Sequence, residues 1–208
     1  MSNYVITISR SFGSGGKLIG KALAERLEIN YYDRDLIHLA SEDSGINVRL
    51  FGRVDETARV RMFKRYGKEY GRSIIPPGSE EFTSDDNLFN IQAKIIRDLA
   101  ERENCIIVGR CADHVLAGHE NLIRVSVNAP HEHCVEQVMS LYGLPRREAE
   151  REIEKINRAR AQYYRYYTGC DWNDARNYDI CLNSAPIGID SCVDMIVDYL
   201  NKRLEKNS

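Results

Sequence analysis

The stretch Ser9-Arg10-Ser11-Phe12-Gly13-Ser14-Gly15-Gly16-Lys17 constrains this chain more than any other. The β-branched run Val5-Ile6-Thr7-Ile8 before it predicts a short buried strand, and Leu18 to Leu27 after it carry apolar residues at helical spacing. A strand, a glycine-rich turn and a helix entered through a lysine form a cradle for a phosphate group. The glycines let backbone N–H groups come close to the anion, the helix start offers donors without partners, and Lys17 adds a point charge.

The usual nucleotide-phosphate pattern is G-x-x-x-x-G-K-[ST]. Gly16-Lys17 satisfies its end, whereas Ser11 replaces its first glycine and Leu18 its closing hydroxyl. A dinucleotide fingerprint is the rival, and Asp33 stands at a suitable distance to hold a ribose. However, Gly13 to Leu18 breaks G-x-G-x-x-G at its last glycine. A nucleotide phosphate is therefore the expected ligand, with Ser11, Phe12, Gly13, Ser14, Gly15, Gly16, Lys17 and Leu18 as its contacts.

At 208 residues the chain suits one domain, with room for an insertion. A net charge of −2 gives no basis for wholesale attraction to nucleic acid or membrane. No apolar run approaches the ~20 residues that span a bilayer, and Met1-Ser2-Asn3 leaves no room for a signal peptide, so a cytoplasmic protein is expected. The six cysteines include no C-x-x-C pair and are expected as free thiols, several of them filling the core. His131-Glu132-His133-Cys134 follows Pro130 and reads as a helix start, because two histidines at i, i+2 point to different faces. No metal ligands are assigned.

Further strands are expected at Ile29–Tyr32, Cys105–Val108, Leu122–Val127 and Tyr178–Asn183. Between them, helices are expected over Leu36–Ser44, around Leu88–Leu99, from Pro130 to Leu141, from Pro145 to about Tyr167, and along Ile189–Leu204. The stretch Asn47–Arg72 has a helical apolar stripe (Phe51, Val54, Ala58, Met62, Tyr66) and eight basic residues against three acidic ones. A solvated face is the simpler account of it than a nucleic-acid surface. Pro76-Pro77-Gly78 marks a loop. Short apolar strands alternating with amphipathic helices predict an α/β fold, a five-stranded parallel sheet covered on both faces. Ligands in such sheets sit at the carboxyl ends of the strands, which gathers Gly13–Lys17, Asp33, Asp35 and Gly109-Arg110 at one rim.

The opening Ile8 to Lys17 resembles that of the cytidylate kinase-like proteins, a branch of the P-loop nucleoside monophosphate kinases. So do Tyr32-Asp33-Arg34-Asp35-Leu36-Ile37, Ile107-Val108-Gly109-Arg110-Cys111-Ala112-Asp113, Tyr163 to Gly169 and Tyr178 to Asn183. The resemblance implies a three-layer P-loop fold in a single domain over 1–208, with a helical NMP-binding insertion at 45–86 and an arginine-bearing lid at 144–177. It implies ATP and Mg²⁺, with Lys17 neutralising the transferring phosphoryl group. Arg110 would grip the acceptor phosphate, and Arg158 and Arg160 would clamp the transition-state oxygens. Asp33, Asp35, Asn157 and Arg165 join Arg110 as candidate acceptor contacts. Tyr163, Tyr164, Tyr166 and Tyr167 either stack on a base or pack the lid onto the core.

The chain departs from the cytidylate kinase pattern where Cys111 stands in place of an Asp, where Asn157 replaces a lid Asp, and at Leu18. The expected activity is transfer of the ATP γ-phosphate to a small acceptor, with a nucleoside monophosphate as the leading candidate. A nucleotide-binding sensor without turnover and a small-metabolite kinase are the alternatives. Nucleic acid and membrane are not expected partners, and a homo-oligomer is left open.

Overall fold

A computed structural model describes residues 3–56 and 70–206. It contains one sheet of five strands, β1 (Val5–Arg10), β2 (Asn30–Tyr32), β3 (Cys105–Val108), β4 (Leu122–Asn128) and β5 (Ile180–Asn183), in the order β2-β3-β1-β4-β5. Every pairing is parallel. The register aligns Val5 with Cys105 and Leu122, and Ile8 with Val108 and Val125, so β1, β3 and β4 end at one edge. The connection from β1 leads outward to β2, and the chain after β3 returns past β1 to β4. The carboxyl ends of β1 and β3 therefore flank the reversal, which is where a crevice opens in such sheets.

The alternation of side chains along a strand explains the continuous apolar runs, since both faces are covered. Ile6, Ile8, Ile106, Val108, Ile123 and Val125 point to one face, packed by helix α1 (Gly16–Leu27) and the last helix of the chain (Ser184–Lys206). Val5, Cys105, Ile107 and Leu122 point to the other. There they meet α2 (Asp35–Ser44), α3 (Val48–Glu56), α4 (Asp85–Arg102), α5 (Ala112–Val115) and α7 (Arg146–Thr168). Helix α6 (His131–Tyr142) packs on α7 through Cys134, Val135, Val138, Ala149 and Ile153. The last helix, α8, begins at Ser184, earlier than its apolar face predicts, and Gly188 interrupts it with a non-helical backbone. All six cysteines are free, and Cys105, Cys111, Cys134 and Cys192 are buried. No helix of the described residues is long and apolar enough to cross a membrane.

The predicted helical stripe over Asn47–Arg72 is seen as α3, whose Phe51 is fully buried, and as a turn at Tyr70 and Gly71. Ala58, Met62 and Tyr66 lie outside the described residues. The tyrosines of α7 pack onto the core. Tyr167 stacks on Phe89 of α4 with ring centroids 3.8 Å apart, and Tyr163 meets Tyr167 edge-on at 4.8 Å. Such aromatic pairs add about 0.5–1.5 kcal/mol each beyond their burial.

A second tie from α7 is polar. The Tyr164 hydroxyl donates to Asp113 Oδ2 of α5 at 2.6 Å. Burial pushes the Asp113 carboxyl above its ordinary pKa, and neither the Tyr164 bond nor the nearby His114 reverses that. The folded protein thus keeps this proton to higher pH than the unfolded chain. Its stabilising contribution is complete below the ordinary carboxylate pKa and is lost as pH rises through the folded value. The isosteric, uncharged Asp113→Asn variant is therefore expected to gain stability relative to the parent as pH rises from the ordinary carboxylate pKa, about 4, toward neutrality. Urea denaturation across that range checks this, and a pH-independent difference between the two proteins would refute it.

Candidate active site

A cavity of about 780 Å³ lies at the carboxyl edge of the sheet, lined by the glycine loop, the β3–α5 turn, α2, α3 and the underside of α7. This volume is ample for a small-molecule site. The loop's shape follows from contacts that only glycine permits. Gly13 has φ +86°, and a Cβ there would lie 2.6 Å from the Cys134 carbonyl oxygen. Ser14 is buried, and its hydroxyl reaches the carbonyls of Ser11 and Val127 at 2.9 and 3.0 Å. The Ser184 hydroxyl donates to the Ser14 carbonyl at 2.6 Å. The loop is thus pinned to the ends of β4 and β5, while Gly15 in the left-handed region leads into α1. The first-turn N–H groups of α1 have no intrahelical acceptors, which suits an anion there.

Charge in the cavity is organised around Asp33, which follows β2. Lys17 Nζ is 2.5 Å from its Oδ2, and Arg10 Nη2 is 3.7 Å from its Oδ1. Burial alone would raise the Asp33 pKa. The bond from Lys17 and the charges of Arg10, Lys17 and Arg110 outweigh it and hold the carboxyl below its ordinary value. Arg110 is itself buried. Its Nε donates to the Asp33 carbonyl at 3.2 Å and its Nη1 to Gln92 Oε1 at 2.8 Å. The turn that delivers it places Gly109, Arg110 and Cys111 in succession at positive φ (77°, 58° and 53°). For the two non-glycine residues that costs about 1–2 kcal/mol each.

Helix α7 is strapped across the loop. Asn157 Oδ1 accepts the Phe12 N–H at 2.8 Å, and Arg160 Nη1 donates to the Arg10 carbonyl at 3.0 Å. The Arg160 guanidinium also lies 5.9 Å from the centre of the Phe12 ring.

Among the candidate residues read from the sequence, the cavity brings together Ser11, Phe12, Gly13, Gly15, Gly16, Lys17, Leu18, Asp33, Arg110 and Arg160. Ser14 sits behind the loop as a pin. Asn157 serves the loop backbone, while Asp35, Arg158 and Arg165 are exposed and are not among the cavity walls. Sequence reasoning missed Arg10, Gln92, Arg49 and Trp172. Trp172 lines the cavity with its Nε1 donating to Ser9 Oγ at 2.7 Å. Gln92 had a readable signal, a polar residue one helical turn from Leu88 on the apolar face of α4.

The sequence pattern of the cytidylate kinase-like family matches residues 5–186. The chain belongs to that family. A cytidylate kinase from Methanosarcina mazei is 30% identical over 188 residues, covering 86% of each chain. Among solved structures, an uncharacterized protein from Eubacterium ventriosum superposes with a TM-score of 0.71 at 26% identity, over 96% of this chain and 99% of the other. The shikimate kinase of Bacteroides thetaiotaomicron (TM-score 0.54, 15% identity, 95% and 98% coverage) shares the fold. So does a gluconokinase of Sinorhizobium meliloti (0.52, 15%, 99% and 95%). The three-layer P-loop kinase fold of this cytidylate kinase-like chain is thereby established.

Two glycines of this family member separate backbone cost from collision. Gly143 ends α6 at φ +66° with nothing near its missing Cβ, whereas Gly13 combines φ +86° with the Cys134 backbone. Gly143→Ala is expected to cost about 1–2 kcal/mol. Gly13→Ala should cost at least ~1 kcal/mol more, because backbone and not a flexible side chain blocks it. Equal losses in urea denaturation would show that the loop yields freely.

Proposed function

We propose that the protein transfers the γ-phosphoryl group of ATP to a small acceptor, with a nucleoside monophosphate as the favoured acceptor. The observation that carries this reading is that one cavity holds both a glycine cradle ending in Lys17 and a buried Arg110 fixed by Gln92. Transfer of a phosphoryl group needs alignment and neutralisation of charge more than covalent help from the protein. A cradle of N–H groups with a lysine suits the triphosphate. A buried arginine suits the acceptor's phosphate, which its guanidinium can hold through two parallel bonds. The relative from Methanosarcina mazei, named a cytidylate kinase, supports a nucleotide acceptor.

The residues fit a magnesium ion that arrives with the nucleotide better than one resident in the protein. Among the described residues no three His, Cys, Asp or Glu side chains gather to hold a metal. Leu18 occupies the place of the usual hydroxyl ligand. Asp33 is the carboxylate closest to the phosphate lysine and would share such an ion with phosphate oxygens, the ion supplying further neutralisation.

A coupled ADP-release assay with CMP, dCMP, UMP, AMP, shikimate and gluconate tests the reading. Turnover well above the ATP-only rate is expected with at least one nucleoside monophosphate. Lys17→Met should lower kcat/KM by at least ~10²-fold. A melting temperature raised by ATP without ADP release from any acceptor would instead support a sensor. Turnover of shikimate or gluconate alone would support a metabolite kinase.

A further inference from the structure

Among the described residues four large apolar side chains stand exposed, Leu18, Leu141, Tyr142 and Met195, and the first three line the cavity. Apolar groups scattered singly over a surface need no explanation, whereas three gathered at one ligand-sized hollow do. Leu141 and Tyr142 end α6 and are 62% and 59% exposed, and Leu18 directly follows the phosphate lysine on α1.

The fold ties this surface to the glycine loop. Gly13 lies against the backbone of Cys134, and Gln137 and Leu141 line the cavity one and two helical turns farther along α6. At 1.5 Å per residue, Leu141 stands about 10 Å along the helix from that contact. The Tyr142 ring meets the loop's Phe12 ring with centroids 5.6 Å apart and planes at 35°, while Phe12 packs among α6 and α7 residues. Of the charged α7 residues in the cavity wall, Glu152 and Lys155 pair with each other at 3.2 Å, and Arg160 bonds the Arg10 carbonyl.

Strand order sets this surface apart from the acceptor arginine. β3 and β4 flank β1, Arg110 follows β3, and α6 follows β4. A phosphate chain held at the loop thus has Arg110 on one side and the end of α6 on the other. A second copy of the chain is a poor occupant, since stable interfaces bury ~1,200 Å² or more and three side chains offer far less. A single flat ring system, joined to the phosphates in the cradle, suits both the size and the apolar character of the surface.

We infer that Leu18, Leu141 and Tyr142 receive the base of the donor nucleotide, with Tyr142 as the stacking ring. This rests on the reading of the site as an ATP site. Every base presents a π-face, and an aromatic side chain binds it without needing a charge.

The test is calorimetric titration of ATP and of inorganic tripolyphosphate, in magnesium buffer, into the parent, Tyr142→Ala, Tyr142→Phe and Leu18→Ala proteins. Melting temperatures and sedimentation are recorded alongside. Tripolyphosphate carries the phosphates without a base, so a base contact counts for ATP alone. Tyr142→Ala is expected to weaken ATP by roughly five- to a hundredfold and to leave tripolyphosphate within about threefold of the parent. Tyr142→Phe should stay within about threefold for both ligands, since the ring and not the hydroxyl makes the contact. Leu18→Ala, on a different helix, should weaken ATP by roughly two- to tenfold and carries the test should Tyr142→Ala not fold. Equal losses for ATP and tripolyphosphate would show Tyr142 acting through Phe12 on the loop and would overturn the inference. No loss for either ligand also overturns it, as does a loss in Tyr142→Phe as large as in Tyr142→Ala. A parent dimer that Tyr142→Ala dissociates, with ATP affinity unchanged, assigns the surface to a second copy and overturns it too. A parent protein that binds neither ligand brings down the ATP reading itself. A parent that binds ATP no more tightly than tripolyphosphate brings down the base assignment alone.

Discussion

One carboxylate holds the charged cavity together. Arg10, Lys17 and Arg110 converge from the end of β1, the start of α1 and the β3–α5 turn, and Asp33 is the anion that lets them share a confined space. Without it their mutual repulsion, poorly screened inside the cavity, would drive the flexible Lys17 outward. Asp33 reaches that place because the three-residue strand β2 pairs with β3 at the sheet edge, which sets the β2–α2 turn beside the glycine loop. The charge arrangement is therefore a consequence of strand order. A sheet with β2 on the other side of β1 would leave the cations without their counterion.

Helix α7 acts on the same loop from above. Its carboxyl half is rooted in the aromatic cluster with Phe89 and in the bond from Tyr164 to Asp113. Its middle reaches the loop backbone through Asn157 and Arg160. Because Asn157 accepts a loop N–H that would otherwise be available to a phosphate, nucleotide binding and the strap are coupled wherever Phe12 N–H is wanted by the ligand. The amino-terminal half of α7 is instead packed through Ala149 and Ile153 against α6.

The fold was legible because a sheet buried on both faces forces continuous apolar strands. Cys105–Val108 was read with its exact bounds for that reason, and β1 and β4 nearly so. The edge strands were overextended, since Ile29, Tyr178 and Asp179 continue the pattern without joining the ladder. Helix α5 went unread. It is a four-residue turn entered through Arg110 and Cys111 in the left-handed region, a conformation that no glycine or asparagine announces at those two positions. For the site, the cradle and Arg110 were legible as local motifs. The roles of Arg10, Gln92 and Asn157 were not, because each depends on a partner distant in sequence: Asp33, Arg110 and the Phe12 N–H. Arg158 and Arg160 look alike on a charged helix, and only the packing of α7 separates the one facing solvent from the one on the loop.

Two aspartates line this cavity, and their surroundings drive them apart. Asp33, among cations, is held ionised below its ordinary range, whereas Asp113, enclosed with Tyr164, is pushed toward the protonated form. A carboxylate held so low is a weak proton acceptor, since effective general bases have pKa values near the working pH. Asp113 lies behind its own hydrogen bonds to Tyr164 and the α5 backbone, where it ties helices together. Neither group is poised for proton transfer. The cavity instead concentrates fixed positive charge and rigid backbone donors, the provision that a loose phosphoryl-transfer transition state calls for.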